Sequence, residues 1–270
     1  MEKDVFDEWV AGQHKKKKYP ARRAAAVVLV FGCLFLTLVS CGGGAPAEVV
    51  FTGPGLVGLD DTTSDTAPLL SVTYESAGGP VTVRILSDLQ SDGDISFDPV
   101  TGIYIAAAGP SEVLFGEDSS VADLPEYRAF LTFALDGSTG QPSVPSGAAI
   151  DAADLEVFAD QVDFASTVPT FIDLIQYQFR GLSVADFNAS LVATASYRTV
   201  DFFSSDQGNF VDIDVTALMQ AAQAGNLALF QVRFELQGLV SGVERSGSAP
   251  NAVRSVRTAP REPDKITPRF

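Results

Sequence analysis

Histidine, tryptophan and cysteine are scarce in this chain, and their positions limit the chemistry it can carry out. Its 270 residues include one histidine, one tryptophan and two cysteines. Trp9, His14 and Cys33 lie within the first 40 residues, and Cys41 is the last of the four. Beyond residue 41 the sequence therefore excludes Ser-His-Asp and Cys-His catalysis and histidine or cysteine zinc sites. Two cysteines are also too few for a disulfide scaffold.

Basic side chains are scarce in the body of the chain as well. Residues 41–245 contain 28 acidic residues against six arginines and no lysine, a net charge of −22, whereas residues 246–270 carry +3. An acidic surface repels a phosphate backbone, which excludes nucleic acid as a partner. Such a surface attracts divalent cations or basic partners, or it is simply solvated, and the composition leaves both interpretations open.

A single long apolar run is present, near the N-terminus. Residues 24–40 are 17 uncharged residues that follow a basic stretch, Lys15–Lys18 with Arg22 and Arg23. A basic region followed by an apolar stretch is typical of a secretory signal peptide. Since this length is at the lower limit for a helix that spans a bilayer, an uncleaved signal anchor is the alternative.

The end of this run, Leu38-Val39-Ser40-Cys41-Gly42, has an apolar, a variable and a small residue before a cysteine. This pattern resembles the lipobox of bacterial lipoproteins. The resemblance implies cleavage before Cys41 and acylation of that residue, so that membrane lipid is a partner. Several acyl chains anchor a protein firmly, whereas one chain binds only weakly. Gly42 after the cysteine implies, by the enterobacterial sorting pattern, the outer membrane of the cell envelope, on a side that the sequence leaves open.

Composition divides the chain into four parts. Residues 1–40 are the predicted signal peptide, 41–48 a flexible Gly-rich tether, 49–245 a β-sandwich domain and 246–270 a disordered basic tail. The domain consists of short apolar runs separated by glycine, proline, aspartate and serine. Val81–Leu86 alternates apolar and polar residues, which is the period of a half-buried strand.

About a dozen such runs predict an all-β fold, a sandwich or jelly roll with one short helix. The helix is predicted over Thr216–Gly225, which is rich in helix formers, with Asp214 or Thr216 as its cap. The predicted strands are Leu69–Tyr74, Val81–Leu86, Ile103–Ala108, Val113–Phe115, Ala129–Leu135, Leu155–Phe158, Thr170–Ile175, Tyr177–Phe179, Leu191–Thr194, Phe210–Val215 and Ala228–Leu236.

Four motifs follow one another in a characteristic order. They are Ser91–Ser96, the Arg-led run Tyr127–Leu135, Gly147–Phe158 and Phe210–Met219. This order resembles the DNRLRE-type domains, carbohydrate-binding-module-like β-sandwiches of bacterial surface proteins, over about residues 84–237. The resemblance implies a jelly-roll fold and a glycan as the class of ligand. Ala134 and Ala222 depart from it, since the family usually has aspartate and tryptophan near these places. Arg128 is expected to pair with an acid at the rim of the sandwich.

Four aspartates around Gly93 form the best candidate metal site. They are Asp88, Asp92, Asp94 and Asp98. Calcium takes many oxygen ligands, and clustered aspartates in a Gly-bearing loop supply them, although the spacing is not that of an EF-hand. The alternative is an Asp-rich turn that accepts hydrogen bonds from its own backbone. Asp60-Asp61 and Glu117-Asp118 are weaker versions of the same pattern.

A glycan-binding face usually presents aromatic rings, and the body of the chain has tyrosine and phenylalanine to supply them. Tyr197, Phe202 and Phe203 are the predicted ligand-binding residues, and Phe202-Phe203 is expected as an exposed pair in a polar loop. Tyr104 and Tyr177 are further candidates. The alternative for each of these residues is packing in the core or at the rim.

The sequence thus predicts a lipid-anchored, non-enzymatic protein of the cell envelope that binds a polysaccharide or an envelope protein. A structural module that displays or spaces a partner, with the basic tail as a docking segment, is the first alternative. The second is a carboxylate-dependent glycoside hydrolase. It would use Asp212 and Asp214, which lie on one face of a predicted strand.

Overall fold

Strands make up about half of the residues that the computed structural model describes, which are 53–109, 112–194, 196–238 and 252–257. In chain order they are β1 (Leu56–Asp60), β2 (Leu69–Ser76), β3 (Gly79–Leu86), β4 (Gly93–Asp98), β5 (Ile103–Ala108), β6 (Glu112–Glu117), β7 (Glu126–Ala134), β8 (Ile150–Asp163), β9 (Thr167–Ile175), β10 (Tyr197–Phe203), β11 (Asn209–Asp214), β12 (Leu229–Leu236) and β13 (Arg254–Arg257). The predicted signal peptide, Cys41, the tether and most of the predicted tail lie outside the described residues.

Helical structure is limited to short segments. An α-helix, α1, covers Thr216–Ala224, and 3-10 turns cover Val184–Asn188 and Ser204–Asp206. The predicted helix is confirmed, but its N-cap is Val215, without a side-chain capping hydrogen bond, and neither Asp214 nor Thr216 holds that position. Asp214 lies one residue earlier, and its Oδ1 accepts a hydrogen bond of 2.9 Å from the amide of Thr216, the first helical residue. Within the described part of the chain, no helix is long and apolar enough to cross a membrane.

The strands form one curled antiparallel sheet in the order β10-β9-β12-β7-β6-β1-β8-β11-β13. β4 pairs with β7 and carries β5, and β2 pairs with β8 and carries β3. The curl brings the apolar faces of these strands around one buried cluster, which α1 also joins. The protein is therefore an all-β fold with one helix, consistent with the predicted sandwich.

Alternation along each strand explains which side chains enter the core. Leu155 and Val157 of β8 and Val211 and Ile213 of β11 are buried, and their sequence neighbours point outward. The ring of Phe115 on β6 lies 5.3 Å from the rings of both Phe202 and Phe234, which joins strands from distant parts of the chain.

Several sequence predictions about elements are wrong. Tyr177–Phe179 and Leu191–Thr194 form no strand, and Leu191 makes only an isolated bridge to Ile175. The predicted loop around Phe202 is strand β10. Part of the predicted disordered tail is strand β13, which pairs with β11 in antiparallel register.

The two ends of the sandwich carry different loops. We call the end at which the chain enters β1, at Gly53–Gly55, the entry end. Because the strands are antiparallel, the turns β4–β5 (99–102), β6–β7 (118–125), β8–β9 (164–166) and β10–β11 (204–208) lie at this end. We call the opposite end, with α1 and the β2–β3 turn, the helix end.

Candidate functional site

A polar groove of about 480 Å³ lies on the outer face of β3-β2-β8-β11-β13. Residues directly opposite one another in neighbouring strands point to the same face. Ser71 lies opposite both Arg84 and Asp154, and Asp212 lies opposite both Glu156 and Ser255. The groove is lined by Ser71, Arg84, Asp154, Glu156, Asp212, Ser255 and Arg257.

Arg257 of β13 lies at the charged side of this groove. Its Nε and Nη2 donate to the two carboxylate oxygens of Asp212 at 2.9 and 3.1 Å. Its guanidinium also contacts Glu156, whose side chain is almost fully buried. Burial and the charge of Asp214 raise the pKa of Asp154 above its usual range. The groove therefore combines ionised pairs with one carboxyl group that is more easily protonated.

Asp212 and Asp214 lie on the same face of β11, as predicted for the hydrolase alternative, but they have different roles. Asp212 binds Arg257, whereas Asp214 accepts a hydrogen bond from the Thr216 amide, at the start of α1. A glycosidase needs one protonated acid and one ionised carboxylate facing each other across a cleft. A guanidinium that bridges Asp212 and Glu156 favours the ionised form of both.

Two of the four predicted calcium ligands bind other groups. Asp88 accepts two hydrogen bonds from the Arg180 guanidinium, at 3.0 and 3.1 Å. Although burial opposes the effect, these bonds and one from Ser91 lower the pKa of Asp88. Asp98 sits in the β4–β5 turn, where hydrogen bonds from the Thr101 hydroxyl and nearby amides lower its pKa. Asp98 thus lies in a turn and accepts hydrogen bonds from its backbone. This is the arrangement that the sequence analysis gave as the alternative to a calcium site.

The other two predicted ligands, Asp94 and Asp92, are buried and accept hydrogen bonds from different backbone amides. Asp94 accepts a hydrogen bond from the Leu114 amide at 3.2 Å, and burial raises its pKa to about 6. Asp92 accepts from the Thr132 amide at 2.6 Å. Among the described residues, no three acidic side chains are grouped as a metal site would require. Calcium binding by these four aspartates stays a prediction.

Asp92 instead faces Asp61. The sequence analysis named Asp61 only as part of Asp60-Asp61, a weaker candidate for a metal site. Both side chains are fully buried at the helix end, and the Oδ2 atom of each has no hydrogen-bond donor among the described residues. Ser87 donates to the other oxygen of Asp61 at 3.4 Å. Burial raises the pKa of Asp61 to about 7, and burial together with the charge of Asp61 raises that of Asp92. Two such acids share a proton near neutral pH.

The predicted aromatic binding residues are mostly internal. Phe202 is fully buried and Tyr197 nearly so, with its ring 5.7 Å from that of Phe171. The expectation of an exposed Phe202-Phe203 pair is therefore wrong. Phe203 is partly exposed, and the Arg254 guanidinium lies 4.9 Å from its ring centroid.

A chain segment covers the outer face of the opposite layer, β4-β7-β12-β9. Residues 176–194 cross this face, and Phe187 packs against Ile95, Phe130, Ile175 and Tyr177. The Phe187 carbonyl accepts hydrogen bonds from Arg128 at 2.7 Å and from Arg233 at 2.9 Å. This layer therefore presents no open sheet face to a ligand.

The two arginines beneath this segment form a buried ion-pair network. Arg233 contacts Asp173 at 2.6 Å and Glu235 at 3.2 Å. Arg128 contacts Glu126 at 2.7 Å and Glu235 at 3.1 Å. The predicted pairing of Arg128 with an acid is confirmed, but the pair is buried and not at the rim.

β13 closes the seam between β10 and β11. The Ala252 amide donates to Thr199 of β10 at 2.8 Å, and Arg254 contacts Asp206 at 2.7 Å. The other side of the segment is paired in register with β11. The basic residues of this strand thus neutralise acids on both flanking edges.

Ending the chain after Asn251 is expected to increase its self-association, because the backbone groups of the β11 edge lose their partner. Light scattering on size-exclusion fractions, with the full chain under the same conditions, measures this change. A chain that ends after Thr258 keeps β13 and is the control, with the behaviour of the full chain expected. Equal association of both truncated chains would contradict the role given to β13.

Comparison of the chain with known protein families, curated proteins and solved structures finds no match. The likeness to DNRLRE-type domains therefore stays a prediction from the order of the motifs.

Proposed function

We propose that this protein is a lipid-anchored, non-enzymatic binding protein of the cell envelope, and that its polar groove binds a glycan. The lipobox-like segment around Cys41 supports the anchor. The observation that carries the binding function is the groove itself, an open site lined entirely by serine, acidic and arginine side chains.

The chemistry of the groove suits a ligand with many hydroxyl groups. Carboxylates accept hydrogen bonds and guanidinium groups donate them, both in fixed planar geometry, and serine does either. The lining has three acids against two arginines, so its formal charge is slightly negative. Neutral or amino sugars therefore fit better than uronic acids, which carry a negative charge.

The non-enzymatic part of the proposal is supported by the pairing in the groove. Arg257 contacts Asp212 and Glu156 together, and Asp214 is engaged with the start of α1. We expect no cleavage of any glycan that the groove binds. Release of reducing sugar ends from a bound oligosaccharide would favour the hydrolase alternative.

A structural display module without a small ligand is the second candidate. The observation that favours it is the basic strand β13, which shows that the acidic edge of β11 accepts an extended cationic segment. In that case the basic tail is the docking segment, β13 fixes it to the body of the protein, and no glycan is needed. Failure of all tested glycans to bind, together with capture of one defined envelope protein, would select this candidate.

Asp154→Asn is expected to weaken glycan binding about tenfold or more, because a charge-assisted hydrogen bond is lost. An array of neutral, amino and uronic oligosaccharides identifies the ligand, and calorimetry on the full chain then measures its affinity. The matched control is Asp65→Asn, which changes an exposed aspartate outside the groove. No bound glycan on the array, or equal affinity in the two variants, would contradict the proposal.

A further inference from the structure

Exposed apolar side chains are concentrated at the entry end of the sandwich. We call five of them the entry patch: Val100 (71% exposed), Ile103 (56%), Val121 (43%), Leu124 (43%) and Phe164 (44%). They belong to the β4–β5, β6–β7 and β8–β9 connections or to the strand that follows. Single exposed apolar residues are ordinary on a protein surface, but a group of large ones marks a contact surface.

Pairing places these three connections beside one another. Glu126 at the start of β7 lies opposite both Phe97 of β4 and Glu117 of β6, and Leu56 of β1 lies opposite Asp163 of β8. The connections thus follow the order β4-β7-β6-β1-β8. Neighbouring strands lie about 4.8 Å apart, so this series of strands is roughly 19 Å wide. The chain enters at β1, between the β6–β7 and β8–β9 connections.

Two members of the entry patch have unfavourable backbone conformations. Leu124 has φ 48° and Phe164 has φ 68°, in the left-handed region that bulky residues rarely adopt. Neither side chain gains core burial in return, since both are exposed. Strained residues of this kind cluster where a protein makes a functional contact.

The helix end shows the contrast. At this end Leu135, Val144 and Leu218 are covered. Val81 on β3 (37% exposed) and Val253 before β13 (73%), whose carbonyl accepts from the Asp214 amide, are exposed, and β2, β8 and β11 separate them. The exposed apolar side chains of the helix end are therefore isolated, whereas those of the entry end lie on neighbouring connections.

The chain preceding the entry end indicates what covers the patch. The apolar run 24–40 and Cys41 lie upstream, and 11 residues, 42–52, join Cys41 to Gly53. Eleven residues reach at most about 40 Å when fully extended. A lipid attached to Cys41 would thus hold the entry end within that distance of a bilayer.

We infer that the entry patch lies on a lipid surface, with its apolar side chains at the boundary between headgroups and acyl chains. This inference rests on the lipid anchor of the proposed function and adds a second, direct contact to it. Acidic residues surround the patch, among them Asp98, Asp118 and Asp123. Since anionic lipids repel such a rim, the surface is zwitterionic.

Tryptophan fluorescence tests this contact, because the single tryptophan, Trp9, belongs to the predicted signal peptide and is absent from the acylated chain. Val100→Trp then places the one tryptophan in the patch, and Val81→Trp places the matched probe at the other end. The full acylated chain is reconstituted in phosphatidylcholine vesicles with and without brominated acyl chains. We expect brominated lipid to quench Val100→Trp and to leave Val81→Trp unchanged.

Leu124→Trp is a second probe in the patch and guards against misfolding caused by a single substitution. Vesicles that contain phosphatidylglycerol should give less quenching of Val100→Trp than phosphatidylcholine alone. Anchored protein with unquenched Val100→Trp and Leu124→Trp would overturn this inference and leave the anchor standing. A probe whose emission is shifted to the blue but is not quenched by brominated lipid would overturn the lipid contact. It would indicate that the entry patch is buried against a second copy of this chain. A chain that does not associate with vesicles at all would overturn both proposals.

Discussion

Replacing Arg233 by methionine is expected to lower the free energy of unfolding by about 3–5 kcal/mol, the usual effect of removing one partner from a buried ion pair. The Arg233 side chain is fully buried and lies 2.6 Å from the carboxylate of Asp173, which is also fully buried. It donates to the carbonyls of Phe187 and Ala189 at 2.9 and 3.0 Å as well. Methionine fills a similar volume but supplies none of these hydrogen bonds.

Urea unfolding of the full chain measures this effect. Arg198→Met is the matched control, because Arg198 is only partly buried and donates to the neighbouring Tyr197 carbonyl. We expect that control to change the free energy by less than about 1 kcal/mol. Residues 176–194 depend on the same guanidinium, so Arg233→Met should also open this segment to proteolysis. Equal stabilities of the two variants would contradict the account of the network.

Raising the pH from 5 to 8 is expected to destabilise the protein through the buried pair Asp61–Asp92. Both pKa values are raised in the folded state, that of Asp61 from 3.8 to about 7. A group of this kind adds stability that is complete below its unfolded pKa and is lost as the pH rises through its folded pKa. One unit of pKa is worth about 1.4 kcal/mol, so the raised pKa of Asp61 alone adds roughly 4 kcal/mol at acidic pH, of which about 3 kcal/mol is lost between pH 5 and 8.

Asp92→Asn should reduce this pH dependence, since Asp92 no longer titrates and an amide can donate to Asp61 without a proton being taken up; the part that comes from the burial of Asp61 should remain. The measurement is the melting temperature as a function of pH between 5 and 8. Asp65→Asn is the control, and its melting temperature should change with pH as that of the unsubstituted chain does. Below that window the lowered pKa values of Asp88, Asp98 and Asp136 act in the opposite direction. An unchanged slope in Asp92→Asn would refute the shared proton.

Local sequence patterns predicted those parts of the fold that depend on alternation alone. Val81–Leu86, Phe210–Val215 and the Phe230–Leu236 run lie almost entirely within β3, β11 and β12, because apolar residues at every second position need one buried face. The same rule failed for Tyr177–Phe179, which has the composition of a strand. There the chain leaves the sheet and Phe187, ten residues further on, enters a small core across the outer face.

The candidate site depended on contacts that no local pattern contains. Arg257 reaches Asp212 across 45 residues, and Arg128 reaches Phe187 across 59. The four aspartates around Gly93 are 4, 2 and 4 residues apart, but each meets a different partner because strand β4 begins among them and ends at Asp98. Only the polar residues at outward positions of β2 and β8, such as Ser71 and Asp154, indicated in the sequence that this face of the sheet is polar.

The position of β13 in the chain sets the order in which the molecule can be completed. Its partner strand β11 is made first, and 43 residues separate Asp212 from Ser255 opposite it. At ordinary rates of synthesis this interval lasts roughly 2–9 s, long compared with the pairing of a hairpin. The central strand β12 is completed within that interval, at Leu236, and from then until β13 appears the seam stands open on an otherwise assembled sandwich. The newly made protein is therefore most vulnerable to strand exchange just before β13 appears.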